Sequence, residues 1–177
     1  MRALFTVHGG EFLVGDHINR RLGKQHDVWV PTKDSGLDLL VTDKRRKRKP
    51  VALQVKFSRG YSLPDEAGDA VAATSWFKLD PRKIRSSAAD VWVFVILTLA
   101  RKAHFVLVPT KHLMACIPSG VGTRWDLYLW VTRDDCCYQV RDLRKRERLE
   151  SVHLGVQDRK RDFSKWLNNW KLLSGTR

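Results

Sequence analysis

The sequence predicts a mixed α/β fold, a central mixed sheet with helices on its faces. Three observations predict it. The chain opens with an amphipathic segment in which Phe12, Leu13, Ile18 and Leu22 recur at roughly helical spacing. Two strand-like segments, 37–43 and 51–58, bracket a short basic stretch closed by Pro50, as an antiparallel hairpin would. The segment Val91–Leu97 (VWVFVIL) is apolar on both faces, the mark of a central strand covered from both sides.

Taken in chain order, residues 8–24 read as the first helix, with Gly23 as its stop. Asp27 to Val30 is a short strand ended by Pro31. The next strand (LDLLVTD) is apolar on both faces except at Asp38. Residues 51–58 alternate: Val51, Leu53, Val55 and Phe57 on one face, Ala52, Gln54, Lys56 and Ser58 on the other. Residues 66–79 read as a helix, with Asp65, Glu66 and Asp69 near the positive end of its dipole. A short helix is expected over 82–87. A strand over 104–108 is stopped by Pro109, and a short helix over 110–116 is capped by Thr110. Residues 127–131 and 136–140 pair as a second hairpin. The spacing of Phe163, Trp166, Leu167 and Trp170 predicts a helix over 162–173. The expected organisation is one domain over 1–177, with a core of about 8–110 and an α/β extension over 111–177.

Composition narrows the function. The 177 residues carry Lys+Arg 33 against Asp+Glu 19, a formal charge of +14, and 43% hydrophobic residues with seven tryptophans build a core. Disorder as the main state is thereby excluded. The positive charge is clustered, above all in Lys44-Arg45-Arg46-Lys47-Arg48-Lys49 at the tip of the first hairpin. Clustered charge points to a polyanion, nucleic acid first and an acidic membrane surface second. The longest apolar run, Val91 to Ala100, is too short to cross a bilayer, which takes about 20 residues in a helix. No signal peptide is read at the N-terminus. The three cysteines, Cys116, Cys136 and Cys137, form no CxxC pair, so neither a disulfide framework nor a structural zinc site is expected. The expected setting is a reducing cytoplasm.

Chemistry is signalled by polar residues in apolar places. A buried, ionised Asp38 is costly unless something pairs with it. Gln54 and Lys56 lie two apart on one strand and share a face. A hairpin brings Asp38 beside them, provided that it lies opposite Gln54 or Lys56 rather than Val55. Glu11 sits on the helix face that packs on the sheet. Carboxylate and amide oxygens suit a hard divalent cation such as Mg²⁺ or Mn²⁺. A nearby lysine can orient or help deprotonate a water bound to that cation. The plainer alternatives are a structural Asp38–Lys56 ion pair and a solvated basic loop. Trp76 and Trp125 are read as core before they are read as stacking platforms.

Glu11, Gly36-Leu37-Asp38 and Leu53-Gln54-Val55-Lys56, in their order and setting, resemble the PD-(D/E)XK nuclease superfamily. They are most similar to its Mrr-like restriction endonuclease and archaeal Holliday-junction resolvase branches. The resemblance covers about 8–110 and implies a restriction-endonuclease-like core in the order α-β-β-β-α-β. It implies a metal-dependent endonuclease that hydrolyses DNA, structure-specific or of restriction or repair type, with Mg²⁺ (or Mn²⁺) as cofactor. Asp38, Gln54, Glu11 and the Val55 carbonyl would be metal ligands, and Lys56 the catalytic lysine. The basic tip and Arg59 would grip DNA, with RNA not excluded, and the protein would work alone or as a homodimer, away from membranes. Gln54 departs from the pattern: it stands where the family most often has an acid, and an amide brings no charge to the ion. The alternative reading is therefore a catalytically silent nucleic-acid-binding protein of the same fold.

Overall fold

A computed structural model describes residues 8–32, 36–45, 48–60, 69–98 and 100–174. Five strands form a mixed sheet: β1 (His26–Trp29), β2 (Leu39–Asp43), β3 (Val51–Arg59), β5 (Val91–Leu97) and β6 (Ala103–Pro109), in that spatial order. All neighbours are antiparallel except β3 and β5, which run parallel. A three-stranded antiparallel sheet, β4 (Val71–Leu79), β7 (Trp125–Thr132) and β8 (Cys137–Gln139), packs on one face of the first. Helix α1 (Gly9–Leu22) covers the other face, while α2 (Pro81–Arg85), α3 (Thr110–Cys116) and α4 (Lys145–Leu154) accompany the smaller sheet.

The period of two in β5 explains this layering. Val91, Val93 and Val95 join Val14 and Ile18 of α1, with Leu53 and Val55 of β3, in one core. Trp92, Phe94 and Ile96 meet Phe77, Leu127 and Leu129 of the smaller sheet in the other. Each fully buried aliphatic or aromatic side chain stabilises the fold by about 1.5–3 kcal/mol before entropy is counted. Because β7 completes the core behind β5, residues beyond 110 are packed against the first half of the chain.

The expected α-β-β-β-α-β order is present, with one strand inserted ahead of its second helix. The stretch 71–79 is that strand, β4, and not the expected helix; residues 61–68, where that helix was to begin, lie outside the described residues. Val71, Ala73, Phe77 and Leu79 are buried on one face, and pairing with β7 runs from Val71 to Leu79 past a bulge. The expected helix over 162–173 is replaced by short 3₁₀ turns at Arg159–Arg161, Ser164–Trp166 and Trp170–Ser174. Asn168 stops any longer helix: it sits at φ 50°, its N–H donates to the Phe105 carbonyl at 2.6 Å, and its Oδ1 accepts the Phe105 N–H at 3.1 Å. The segment thus closes the free edge of β6. Helix α4 was not foreseen. Pro109, not Thr110, occupies the N-cap of α3, and the Thr110 hydroxyl donates to the Ala89 carbonyl instead.

Three half-buried or buried histidines predict how stability responds to pH. Burial lowers the pKa of His17, His104 and His112, helped by Arg21, Lys102 and Lys165 respectively. His17 stacks on Trp170 with centroids 4.3 Å apart. A lowered folded-state pKa means that the unfolded chain binds protons first as pH falls below about 6.5. The stability carried by the neutral rings is present above that value and is lost as pH falls toward the folded pKa values. Thermal melts from pH 7.5 to pH 5 are expected to show a falling midpoint. His17→Phe, which keeps the stack and removes the titration, is expected to flatten part of the slope.

Candidate active site

The four candidate side chains come from three separate elements. Helix α1 carries Glu11, the turn before β2 carries Asp38, and β3 carries Gln54 and Lys56. β2 pairs with β3 through Leu39 opposite Leu53, Leu40 opposite Ala52 and Val41 opposite Val51. Continued by one residue, this register sets Asp38 beside Gln54 and not Val55. Asp38 is half-buried and precedes β2 rather than interrupting it, and its N–H donates to the Leu53 carbonyl at 2.9 Å.

Asp38 closes the end of the hairpin with its carboxylate. Oδ2 accepts the Val55 N–H at 2.6 Å and also accepts the Gln54 side-chain amide. The bond fixes the Gln54 amide with its nitrogen toward Asp38, since the flipped amide would set oxygen against oxygen. In a strand the N–H and C=O of one residue point to the same side, so the Val55 carbonyl also leaves β3 toward β2, beyond the pairs that β2 supplies.

Glu11 arrives from the opposite face of the sheet. It lies at the third position of α1, and its Oε2 accepts the N-cap His8 N–H at 3.1 Å. Burial pushes the Glu11 carboxyl above the usual carboxylate range, and the negative charge of Asp38 adds to the rise. The His8 N–H and the positive charges of His8 and Lys56 act against it. Close approach of α1 to β3 makes this placement possible. A Cβ added to Gly10 would stand 2.7 Å from the Phe57 Cβ and 3.2 Å from the Val55 Cγ1. Gly10→Ala is therefore expected to push α1 off β3. It should lower stability by about 1–3 kcal/mol, seen as a drop in the thermal midpoint, and should weaken whatever activity depends on Glu11.

Glu11, Asp38, Gln54, Val55 and Lys56 all line one cleft of about 820 Å³. No protein-family model matches this chain, and no curated protein matches it. Among solved structures it is similar to Hjc, a Holliday junction resolvase from the archaeal hyperthermophile Archaeoglobus fulgidus. That likeness has a TM-score of 0.38 and 9% identity, over 68% of this chain and 84% of that one. The functional reading rests on the cleft itself.

The cleft has a second wall that the sequence did not announce. Lys78, at the end of β4, and Lys83, on α2, line it as well, together with Ser86 and Ser87. Asp80 also lines it but is already engaged. It caps α2 by accepting the Arg82 N–H at 2.9 Å, and its Oδ2 lies 3.1 Å from Arg82 Nη2. Those bonds to the Arg82 side chain and backbone hold the Asp80 carboxyl below its usual range. Lys56 Nζ stands over the Trp92 ring, 5.5 Å from its centroid.

The basic tip lies elsewhere. Lys44, Arg45, Arg48 and Lys49 are exposed, and Arg46 and Lys47 lie outside the described residues. They follow the far end of β2, about 15 Å along the strand from Asp38, and none of the described tip residues lines the cleft. Lys44 is paired with Asp27 at 3.3 Å. Arg59 is exposed at the end of β3. The basic run after residue 140 is partly spent on its own structure. Arg146 pairs with Glu150 at 2.8 Å along α4, and Arg161 Nη1 donates to the Arg141 carbonyl at 2.7 Å.

By type, the cleft's donors fit a hard divalent cation. Asp38 and Glu11 each have one carboxylate oxygen engaged and a second one to offer, and Val55 contributes a carbonyl. Among the described residues there is no group of three or more His, Cys, Asp or Glu that could hold a metal ion. A cation bound there would be held by two carboxylates and the Val55 carbonyl, with water completing its shell. Among the described residues, no helix is long and apolar enough to cross a membrane.

Proposed function

We propose that the protein is a metal-dependent nuclease that hydrolyses DNA phosphodiester bonds in the cleft between α1, β3 and β4. The observation that carries this reading is the meeting of Glu11, Asp38 and Lys56, from three elements, in one cleft. Asp38 and Glu11 would hold the cation with the Val55 carbonyl. When bound, Mg²⁺ or Mn²⁺ offsets charge on the phosphate and acidifies a water. Lys56, held over the Trp92 ring, would orient the attacking water and help move its proton. Lys78 and Lys83 line the cleft with the acids and would hold the phosphates on either side. The tip lysines and arginines and Arg59 extend the grip outside the cleft, so affinity should fall steeply with salt. Residues 111–177 belong to the same unit in this proposal, because β7 backs the strand that carries Lys78.

A second reading has its own observation. The Gln54 amide donates to Asp38, which satisfies the aspartate without a cation. The same fold would then bind nucleic acid and not cut it. Incubation with duplex, single-stranded and branched DNA in Mg²⁺ or Mn²⁺ separates the two. The nuclease reading expects cleavage that is lost in Asp38→Ala and Lys56→Ala. Absence of cleavage on every substrate, with salt-sensitive binding intact, would establish the silent binder instead.

A further inference from the structure

The cleft does not end at Lys56. A shallower groove of about 410 Å³ continues from it, lined by Lys56, Phe57, Ser58, Trp76, Phe77 and Lys78. Lys56, Phe57 and Lys78 line both openings, so the two adjoin. Phe57 is 38% exposed, unusual for a large apolar side chain in the strand that builds the site. Trp76 and Lys78 lie two apart on β4 and share its outer face, away from the core residues Phe77 and Leu79. Trp76 is half-buried, with Tyr128 beside it at 5.2 Å and the Arg141 guanidinium 4.6 Å from its ring. Phe57 and Trp76 thus line one groove with Lys56 and Lys78, beside a cleft whose acids suit a phosphate-cutting cation.

We infer that this groove binds a single-stranded segment of nucleic acid, whose unstacked bases lie on Phe57 and Trp76 while Lys56 and Lys78 hold its backbone. The inference rests on the nuclease reading for its place beside the cutting site, and it names the kind of substrate that reading leaves open. Lysines alone would serve a duplex equally well. Aromatic faces would not, because a duplex keeps its bases stacked inside, whereas single strands offer them to rings. An acidic peptide would use the lysines and leave the rings bare. The preferred substrate is therefore DNA that presents a single strand at the cleft, such as a tail or a gap.

The test is binding in chelator, which makes it independent of cutting. Fluorescence anisotropy is measured with labelled oligo(dT) and with a blunt duplex of equal length, and with heparin as competitor. Wild type is expected to hold oligo(dT) more tightly than the duplex. Phe57→Leu keeps apolar bulk against α1 but removes the ring, and it should weaken oligo(dT) binding about tenfold. It should leave duplex binding unchanged, and Phe57→Tyr should restore the wild-type value. Lys78→Gln, at an exposed position, should weaken oligo(dT) binding and lower its salt dependence. Equal affinity for duplex and single strand would overturn the inference. So would wild-type oligo(dT) binding by folded Phe57→Leu, or by Lys78→Gln should Phe57→Leu fail to fold. If cleavage is absent but oligo(dT) binding follows this pattern, the nuclease reading fails and the groove stands.

Discussion

Asp38→Asn is expected to abolish metal-dependent cleavage, by a factor on the order of 10³ or more, while the protein stays folded. The magnitude follows from losing a charged group that acts on the reacting phosphate through the cation. The choice of asparagine follows from the local bonds. Asp38 Oδ2 holds the Val55 N–H at 2.6 Å, and an asparagine side-chain oxygen can keep that bond while the charge is gone. Asp38→Ala removes the acceptor as well. It leaves the Val55 N–H and the Gln54 amide without their partner and should cost a further 1–3 kcal/mol or so. The two variants together separate catalysis from support: both lose cleavage, and only the alanine variant loses much thermal stability. Lys56→Ala completes the comparison, since it should lose cleavage while retaining metal-dependent stabilisation. Rates measured on the best DNA substrate, beside thermal melts with and without Mg²⁺, check all three. Substantial cleavage by Asp38→Asn would remove Asp38 from the chemistry.

Much of the core was readable because its physics is local. Val91–Leu97 is apolar on both faces because sheet and helix press on it from two sides, and such a strand declares itself in one segment. Asp38, Gln54 and Lys56 were readable because each is polar where its neighbours are apolar. β4 was misread for a reason of distance. A short stretch that includes Ala72 and Ala73 satisfies helix and strand periods alike, and what decides it is β7, whose pairing residues begin at Trp125. That error also hid the groove beside the cleft, since Trp76 and Lys78 share a face only in a strand. Lys83 had no sequence signal, because an exposed lysine on a cleft looks like any other. At the other end of the chain, Phe163, Trp166, Leu167 and Trp170 have helical spacing, yet the segment is spent on the edge of β6. The Asn168-Asn169 pair, a residue type able to enter the left-handed region, argued against a helix there, and Asn168 enters it. The densest charge drew attention to the hairpin tip, whereas the lysines that line the cleft with Asp38 and Glu11 are dispersed in sequence.

Gln54→Glu is expected to have opposite effects on stability without and with Mg²⁺. The substitution removes the amide that donates to Asp38 and sets a third carboxylate beside Asp38 and Glu11. Gln54 is buried, and Glu11 already feels both its own burial and the charge of Asp38. Without a cation the added charge stands beside two other carboxylates in a largely buried position, so the thermal midpoint should fall, as like charges in a poorly solvated site require. With a cation the same charge becomes a ligand. Affinity for Mg²⁺ should rise by about tenfold or more, and the midpoint should recover and then exceed wild type at saturating Mg²⁺ through linkage. Cleavage at limiting Mg²⁺ should rise in step, while at saturating Mg²⁺ the gain should shrink, because wild type then fills its weaker site too. Titration of the midpoint against Mg²⁺ for both proteins gives the crossing point directly. A variant whose midpoint ignores Mg²⁺ would mean that these oxygens do not share an ion, and that the Gln54–Asp38 bond is the finished state of a binding protein.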